Sequence, residues 1–544
     1  MKDMKNTPAS QENKKFSFDM IWKDRYLRSI FLAACVIVLA ALVYVVLRFT
    51  LLKPAEEIPE AERPYVVEKL TEDQLQGIRV ENDLGAFYYY RGEDNNFYFK
   101  GAESMLYDTS ADWMDQNTES IDDVLSSVSM TQSLTLFLSN MRAAEVVDGY
   151  NKDNLEAYGL GNGGKAVVEL SYVKDGATVA KTVRFGNPTV SGNAYYVMVD
   201  GDDSLYTLRD TYISRCIFCD VKDYFLPQVA LPVSSSEYMN VSDLSIKKRG
   251  ETFLAFHSLT EEEKESIGDA FTHVFSEPAG YYPSSEKLQG FLETFTSFSG
   301  TSVVEFDIAS RLEDPAKREE VYQLFRDYSL VDPENRWVYE LYYKYEKQSY
   351  DTTLYISQKL EVQNEADENG EKKYVYYVYS PGFDCIVEFE ADTLPWVEWD
   401  RITFMDNHSF VVSIDKVASI EFSYESNVAK FSLTGEGQDL KVTCSTGVKV
   451  DTDNFRQLYK AILFTTLDGY AQKPEAANKI LTMNITLRDG KNYYYEFFGM
   501  TARKAYYTLN GSGEFYINRD YIKQMMAACT GILNGEKVTV DAKQ

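Results

Sequence analysis

The stretch "VASIEFSYESNVAKFSLTG" (417–435) decides the fold. Ile420, Phe422 and Tyr424, then Val428 and Phe431, fall at nearly period-two spacing, the pattern of a half-buried antiparallel strand pair. Beyond it, Phe455, Leu458, Tyr459 and Ile462 stand at i, i+3, i+4 and i+7. That spacing predicts an amphipathic helix, with Asp453 and Asn454 as its start signals. A second strand group follows, "TMNITLRDGKNYYYEFFG" (482–499) and "KAYYTLNGSGEFYIN" (504–518). Its penultimate strand carries Tyr506 and Tyr507, Asn510-Gly511 turns the chain, and Asp520 is a plausible cap for a closing helix.

The same order of elements stands twice upstream. Strand pairs open at "LQGIRVENDLGAFYYYRG" (75–92) and "VSDLSIKKRGETFLAFHS" (241–258). Helices are predicted through Ile121, Val124, Leu125 and Val128, and through Leu288, Phe291, Leu292 and Phe295 behind Ser284 and Ser285. The closing groups repeat the Tyr pair at Tyr195-Tyr196 and Tyr376-Tyr377, the turn at Asp200-Gly201 and Pro381-Gly382, and the Asp at Asp210 and Asp392. Loop-rich "LPQVALPVSSS" (226–236) and "MDNHS" (405–409) mark the boundaries. The fold class is therefore α+β: three related modules of antiparallel sheet with packed helices, over 65–232, 233–405 and 406–544.

Composition narrows the function classes. Among 544 residues, 84 are acidic and 55 basic, a formal charge of -29. A field of that sign repels phosphate backbones and argues against nucleic acid as a partner. Three His argue against a His-based catalytic or metal site, while 41 Tyr and 31 Phe supply ample core material.

The run "IFLAACVIVLAALVYVVL" (30–47) has no charge, Pro, Gly or amide. As a helix it spans about 27 Å, close to a bilayer's hydrocarbon thickness. Lys2, Lys5, Lys14, Lys15, Lys23, Arg25 and Arg28 precede it, and Glu56, Glu57, Glu60 and Glu62 follow. The positive-inside rule makes 1–29 a cytoplasmic basic tail, 30–52 an uncleaved signal anchor in the lipid bilayer, and 53–64 a linker to an extracellular ectodomain. Residues 1–53 hold nine basic and four acidic side chains, which leaves -34 for the ectodomain.

The segment 154–208 carries Tyr158-Gly159-Leu160, Asp175-Gly176 with Gly186, Tyr195-Tyr196-Val197 and Leu205-Tyr206. In these pieces it resembles the bacterial family known as domain of unknown function 4340. The resemblance weakens in the second module, where the turn becomes Tyr328-Ser329-Leu330, and further in the third. It implies a single-anchor envelope protein, associated with the membrane subunits of ABC-type export systems. It implies no catalytic residues and no cofactor.

Several motifs imitate chemistry. Gly159, Gly161 and Gly164 satisfy G-x-G-x-x-G, but a helix-like stretch precedes them and a strand follows, the reverse of a dinucleotide site. Cys216 and Cys219 form C-x-x-C within the expected post-hairpin helix. They read as buried thiols, with an oxidised redox pair as the alternative. Asp200, Asp202 and Asp203, and Glu365, Asp367, Glu368 and Asn369 before Gly370, read as solvated turns rather than calcium loops, because Tyr376 replaces the bidentate Glu of the second. Ser512 occupies a hairpin tip with no following His. His257 and His273 have no evident partner in the sequence. No metal ligand set emerges.

Tyr339, Tyr343 and Tyr345 share one face of a predicted strand. Turned to solvent, that face would be a ladder suited to sugar or protein; turned inward, it is core. The sequence thus predicts a non-enzymatic, membrane-anchored extracytoplasmic accessory or scaffold protein. The alternative is an envelope glycan- or peptide-binding protein using Tyr-rich sheet faces. A contiguous aromatic groove would favour the second.

Overall fold

A computed structural model describes residues 62–540 except 94, 96, 100–105, 108–125, 234, 268–269, 332–336, 346–347, 364–371 and 476–477, and also residues 29, 32–33, 35–43 and 59. The first sheet is built from β1 (Leu75–Asn82), β2 (Gly85–Arg91), β3 (Phe97–Phe99), β6 (Glu145–Val146), β7 (Ala166–Lys174), β8 (Ala177–Pro188), β9 (Ala194–Val199) and β10 (Tyr206–Arg209). Two short strands, β4 (Leu106–Tyr107) and β5 (Ser126–Ser127), pair in parallel beside it. The second sheet comprises β11 (Val241–Lys248), β12 (Glu251–Ser258), β13 (His273–Glu277), β14 (Ser302–Phe306), β15 (Trp337–Tyr345), β16 (Gln348–Ile356), β17 (Leu360–Gln363), β18 (Lys372–Ser380) and β19 (Cys385–Glu390). The third holds β20 (Val417–Tyr424), β21 (Asn427–Thr434), β22 (Lys441–Cys444), β23 (Leu467–Tyr470), β24 (Lys479–Leu487), β25 (Asn492–Gly499), β26 (Lys504–Leu509) and β27 (Ser512–Asn518).

The spatial orders are β3-β2-β1-β7-β8-β9-β10-β6, β13-β12-β11-β15-β16-β18-β19-β14 and β22-β21-β20-β24-β25-β26-β27-β23, with β17 attached to β18. Leaving β4, β5 and β17 aside, all three follow one plan. Three strands form one wing, a helix crosses, the fourth strand goes to the far edge, and a four-strand meander fills the space between. The Tyr pairs lie on the corresponding strands β9, β18 and β26. Entry to each sheet is also alike: the chain pairs with the segment just after the crossing helix. Val66 N donates to Met141 O, Val229 N to Phe298 O and Ser409 N to Thr465 O.

The crossing helices bury the faces that their periodicity marks. Leu288, Phe291, Leu292 and Phe295 are buried, as are Phe455, Leu458, Tyr459 and Ile462. Burial of each such side chain contributes about 1.5–3 kcal/mol. Asp451, not Asp453 or Asn454, caps the third helix, Thr452–Leu463, accepting from the amides of both those residues. The first helix runs Val128–Ser139, one turn or more later than expected; Ile121, Val124 and Leu125 lie outside the described residues. In the closing helix Arg519–Leu533 the cap is Asn518 rather than Asp520.

One alternation also shifts. Ile420, Phe422 and Tyr424 point inward, but Val428 is 59% exposed, and Ala429, Phe431 and Leu433 are the buried side of β21. Glu425 at φ 52° turns the chain between the strands and resets which parity faces the core. A continuous apolar core runs through all three sheets, and a smaller one around Ile308, Val321, Leu330 and Ile386 lies under two extra helices of the second.

The described part of the predicted anchor is helical, and its apolar side chains are exposed; Val36, Ile37 and Leu39 are each about two-thirds accessible. Most of residues 1–61 lie outside the described residues. Among those described, no helix is long and apolar enough to cross a membrane.

Candidate functional site

The residues that sequence reading singled out do not converge. Tyr339, Tyr343 and Tyr345 face inward, each at most 1% exposed. Their hydroxyls donate to Val397 O (3.1 Å), Leu231 O (2.7 Å) and Glu237 Oε2 (2.9 Å). The ladder is therefore core; Tyr343 and Tyr345 fasten the connection from the first sheet, and Tyr339 the segment after β19.

Cys216 ends the short helix Ile213–Cys216, and Cys219 lies past it in a bend rather than within the helix. Both are unbridged and buried. Burial raises both thiols, Cys219 up to about 12, which opposes the thiolate that redox chemistry needs. The three glycines form tight turns before β7. Asp200 pairs with Arg184 at 2.6 Å and Asp202 accepts from Tyr206 at 2.7 Å, so that acidic turn is internally satisfied. Residues 365 and 367–370 lie outside the described residues. Ser512 opens β27 directly after the turn, where Asn510 (φ 51°) and Gly511 (φ 89°) adopt the positive φ pair of a tight hairpin.

His257 does have partners: Ser276 Oγ lies 2.8 Å from Nδ1 and Glu263 3.3 Å from Nε2. Glu263 is already held by the Thr260 amide and hydroxyl, and Ser276 is exposed, so the trio is a surface brace at a helix start. His273 is buried beneath it, and desolvation lowers its pKa.

A candidate site lies elsewhere, in a cleft of about 760 Å³ between the second and third sheets. Its walls are aromatic: Phe253 from β12, Trp337 from β15, Tyr376 from β18, Trp399, and Tyr470 from β23. Arg401 closes one side. Its guanidinium donates to both oxygens of Glu514 on β27 (2.9 Å), to Phe253 O (2.5 Å) and to Thr252 O (2.9 Å). Beyond Arg401 and Glu514 lies a second cavity, of about 510 Å³, lined by the Glu277–Tyr281 loop and the hairpin around Asn510.

Lys248, at the end of β11, reaches into an aromatic box. Its ammonium lies 3.9 Å from the Phe253 ring centre, 5.1 Å from Trp337 and 5.2 Å from Tyr339. Its hydrogen bond to Trp399 O is long, at 3.5 Å. Among the described residues no carboxylate comes within 4 Å of it. Burial pulls its pKa down to about 8, partly offset by Asp400. The lining carboxylates are mostly engaged. Glu398 meets Lys359 at 3.2 Å, and Asp400 Oδ1 accepts from Thr403 N at 2.9 Å and Oγ1 at 2.8 Å.

Sequence reading passed over this cleft because its walls come from two sheets. One local signal was available: "WVEWDR" (396–401) places two of the five Trp within four residues. Trp399 lines the cleft, while Trp396 packs beneath, against Phe291 and Tyr339.

Residues 129–324 match the model of a family described as a domain of unknown function (DUF4340). The chain resembles that family. The match reaches beyond 154–208 on both sides, from the first crossing helix to the Arg318–Asp327 helix. It thus takes the closing half of the first sheet with the opening half of the second. No curated protein and no solved structure matches the chain.

Proposed function

We propose that this chain is a membrane-anchored extracytoplasmic binding protein, made of three copies of one α+β module, whose ligand seats in the cleft between the second and third sheets. The cleft carries this reading: five aromatic side chains from separate elements converge on one concave space, with polar and charged groups set among them. The aromatic groove is there, although not on the Tyr face that the sequence suggested. The apolar, exposed helix within 32–43 and the basic tail before it support the anchor, with the ectodomain outside. The protein acts by holding a ligand rather than transforming it.

The test is tryptophan fluorescence of the detergent-solubilised full chain, titrated with envelope glycan fragments and with peptides. A saturable change that Trp337→Ala removes is the expected result. No saturable change with either class would overturn the reading.

A second reading, which rests on the resemblance drawn from residues 154–208, is an accessory subunit of an ABC-type export system. It predicts co-purification with that transporter's membrane subunits, undiminished by Trp337→Ala. Loss of the association in that variant would make the cleft itself the contact.

A further inference from the structure

The chemistry around Lys248 narrows what the cleft takes, and the narrowing rests on the binding reading above. An ammonium boxed by three rings and touching one distant carbonyl has lost much of its hydration without gaining a carboxylate. Such a group is prepared for an anion, which would restore the lost charge stabilisation in a place where water screens poorly. Arg401 and Lys359 are less suited to that task, since Glu514 and Glu398 already hold them.

The walls indicate what the anion is attached to. Flat rings from Phe253, Trp337 and Trp399 stand beside Thr252, Gln358 and Glu251. Apolar faces beside hydrogen-bonding side chains match a pyranose, which has a C–H face and a rim of hydroxyls. A peptide added as a further strand would instead need free backbone groups along β12. There Arg401 already occupies the carbonyls of Thr252 and Phe253.

We propose that the cleft binds an acidic sugar residue, its carboxylate on the Lys248 ammonium and its ring against the Trp337 and Trp399 side. No covalent step is involved. Lys248 supplies charge, and the aromatic rings supply contact area.

Six charged groups from several elements face Lys248. They are Glu251 on β12, Lys359 after β16, Glu398, Asp400 and Arg401 in the segment before the second boundary, and Glu514 across the cleft. The phenols of Tyr339, Tyr376 and Tyr470 are raised by burial and stay neutral in the range that matters. Lys248, pulled down to about 8 by burial, changes charge between pH 7 and 9.

The experiment uses the solubilised full chain with two probes, a glucuronate-containing disaccharide and its neutral glucose counterpart, followed by tryptophan fluorescence. The acidic probe should bind at least about tenfold more tightly at pH 7. That advantage should fall about tenfold per pH unit above the Lys248 pKa, while the neutral probe stays level. Lys248→Met should erase the difference between the probes. Equal binding of both probes, or an equal loss of both in Lys248→Met, would overturn the inference. Failure of both probes while another ligand quenches the same Trp337-dependent signal would overturn the sugar class and leave the binding reading standing.

Discussion

The phenolic oxygens of Tyr281 and Tyr507 lie 2.6 Å apart, joining the second sheet's region to the third across 226 residues of chain. Both rings are buried, and desolvation holds both phenols above their ordinary pKa, so one neutral hydroxyl donates to the other. Removing a single hydroxyl leaves its partner dry and unpaired. Removing both removes the need for either. Tyr281→Phe should cost about 1–2 kcal/mol, and Tyr281→Phe with Tyr507→Phe should cost clearly less than the two single losses combined. Urea unfolding of the four proteins in the cycle measures the coupling. Strict additivity would mean that the bond contributes nothing to the seam.

Part of this fold could be read directly from the sequence. Phe455, Leu458, Tyr459 and Ile462 announce their helix because a helical stripe is a local pattern, and they are buried as a set. The even spacing of Tyr339, Tyr343 and Tyr345 likewise fixes that they share a face. It cannot fix which face, since that depends on Leu231, Glu237 and Val397 arriving from distant segments to accept their hydroxyls. Val428 failed because a turn residue changed the parity between two strands that the pattern alone treats as continuous. The cleft was hidden for the first of these reasons. Lys248, Arg401 and Glu514 belong to three separated stretches, and none carries a motif.

The topology has a direct test. Seven basic residues precede the apolar run, and acidic residues follow it, so the amino terminus is expected in the cytoplasm. Protease added to intact cells or protoplasts should digest the part after Lys53 and spare an N-terminal tag. Digestion of the tag with the remainder intact would reverse the orientation.

Cys216 and Cys219 should prove dispensable. Both thiols are buried, and Tyr224 donates to the Cys216 carbonyl at 2.8 Å while Asn82 donates to that of Cys219 at 2.9 Å. The local backbone is thus held without a bridge. Cys216→Ser with Cys219→Ser should cost about 1–2 kcal/mol through poorly satisfied hydroxyls. In the native protein at pH 8 both thiols should alkylate more slowly than the half-exposed Cys444. Mass spectrometry with alkylation before and after reduction reads this out. A stoichiometric Cys216–Cys219 bridge would restore the redox alternative.

Lys248 should make stability depend on pH in a definite direction. Its pKa is depressed on folding to about 8 from its ordinary value of 10.5, because burial disfavours the ammonium. Between those values the unfolded chain binds more protons at this position than the folded one, so stability rises with pH across that window. Below about pH 8 the folded protein carries the full cost of the buried charge. A shift of that size corresponds to at most about 3 kcal/mol of pH-dependent cost. Lys248→Met has no proton to exchange. The variant should therefore be more stable than the parent at pH 7, and the gap should narrow steadily as pH rises from 8 toward 10. Denaturant midpoints of the two proteins, measured in parallel at each pH, isolate this residue from the tyrosines that both share. A gap that stays constant across the window would show that Lys248 is as well solvated in the folded chain as in the unfolded one, and the aromatic box would then lose its claim to hold a charge poised for an anion.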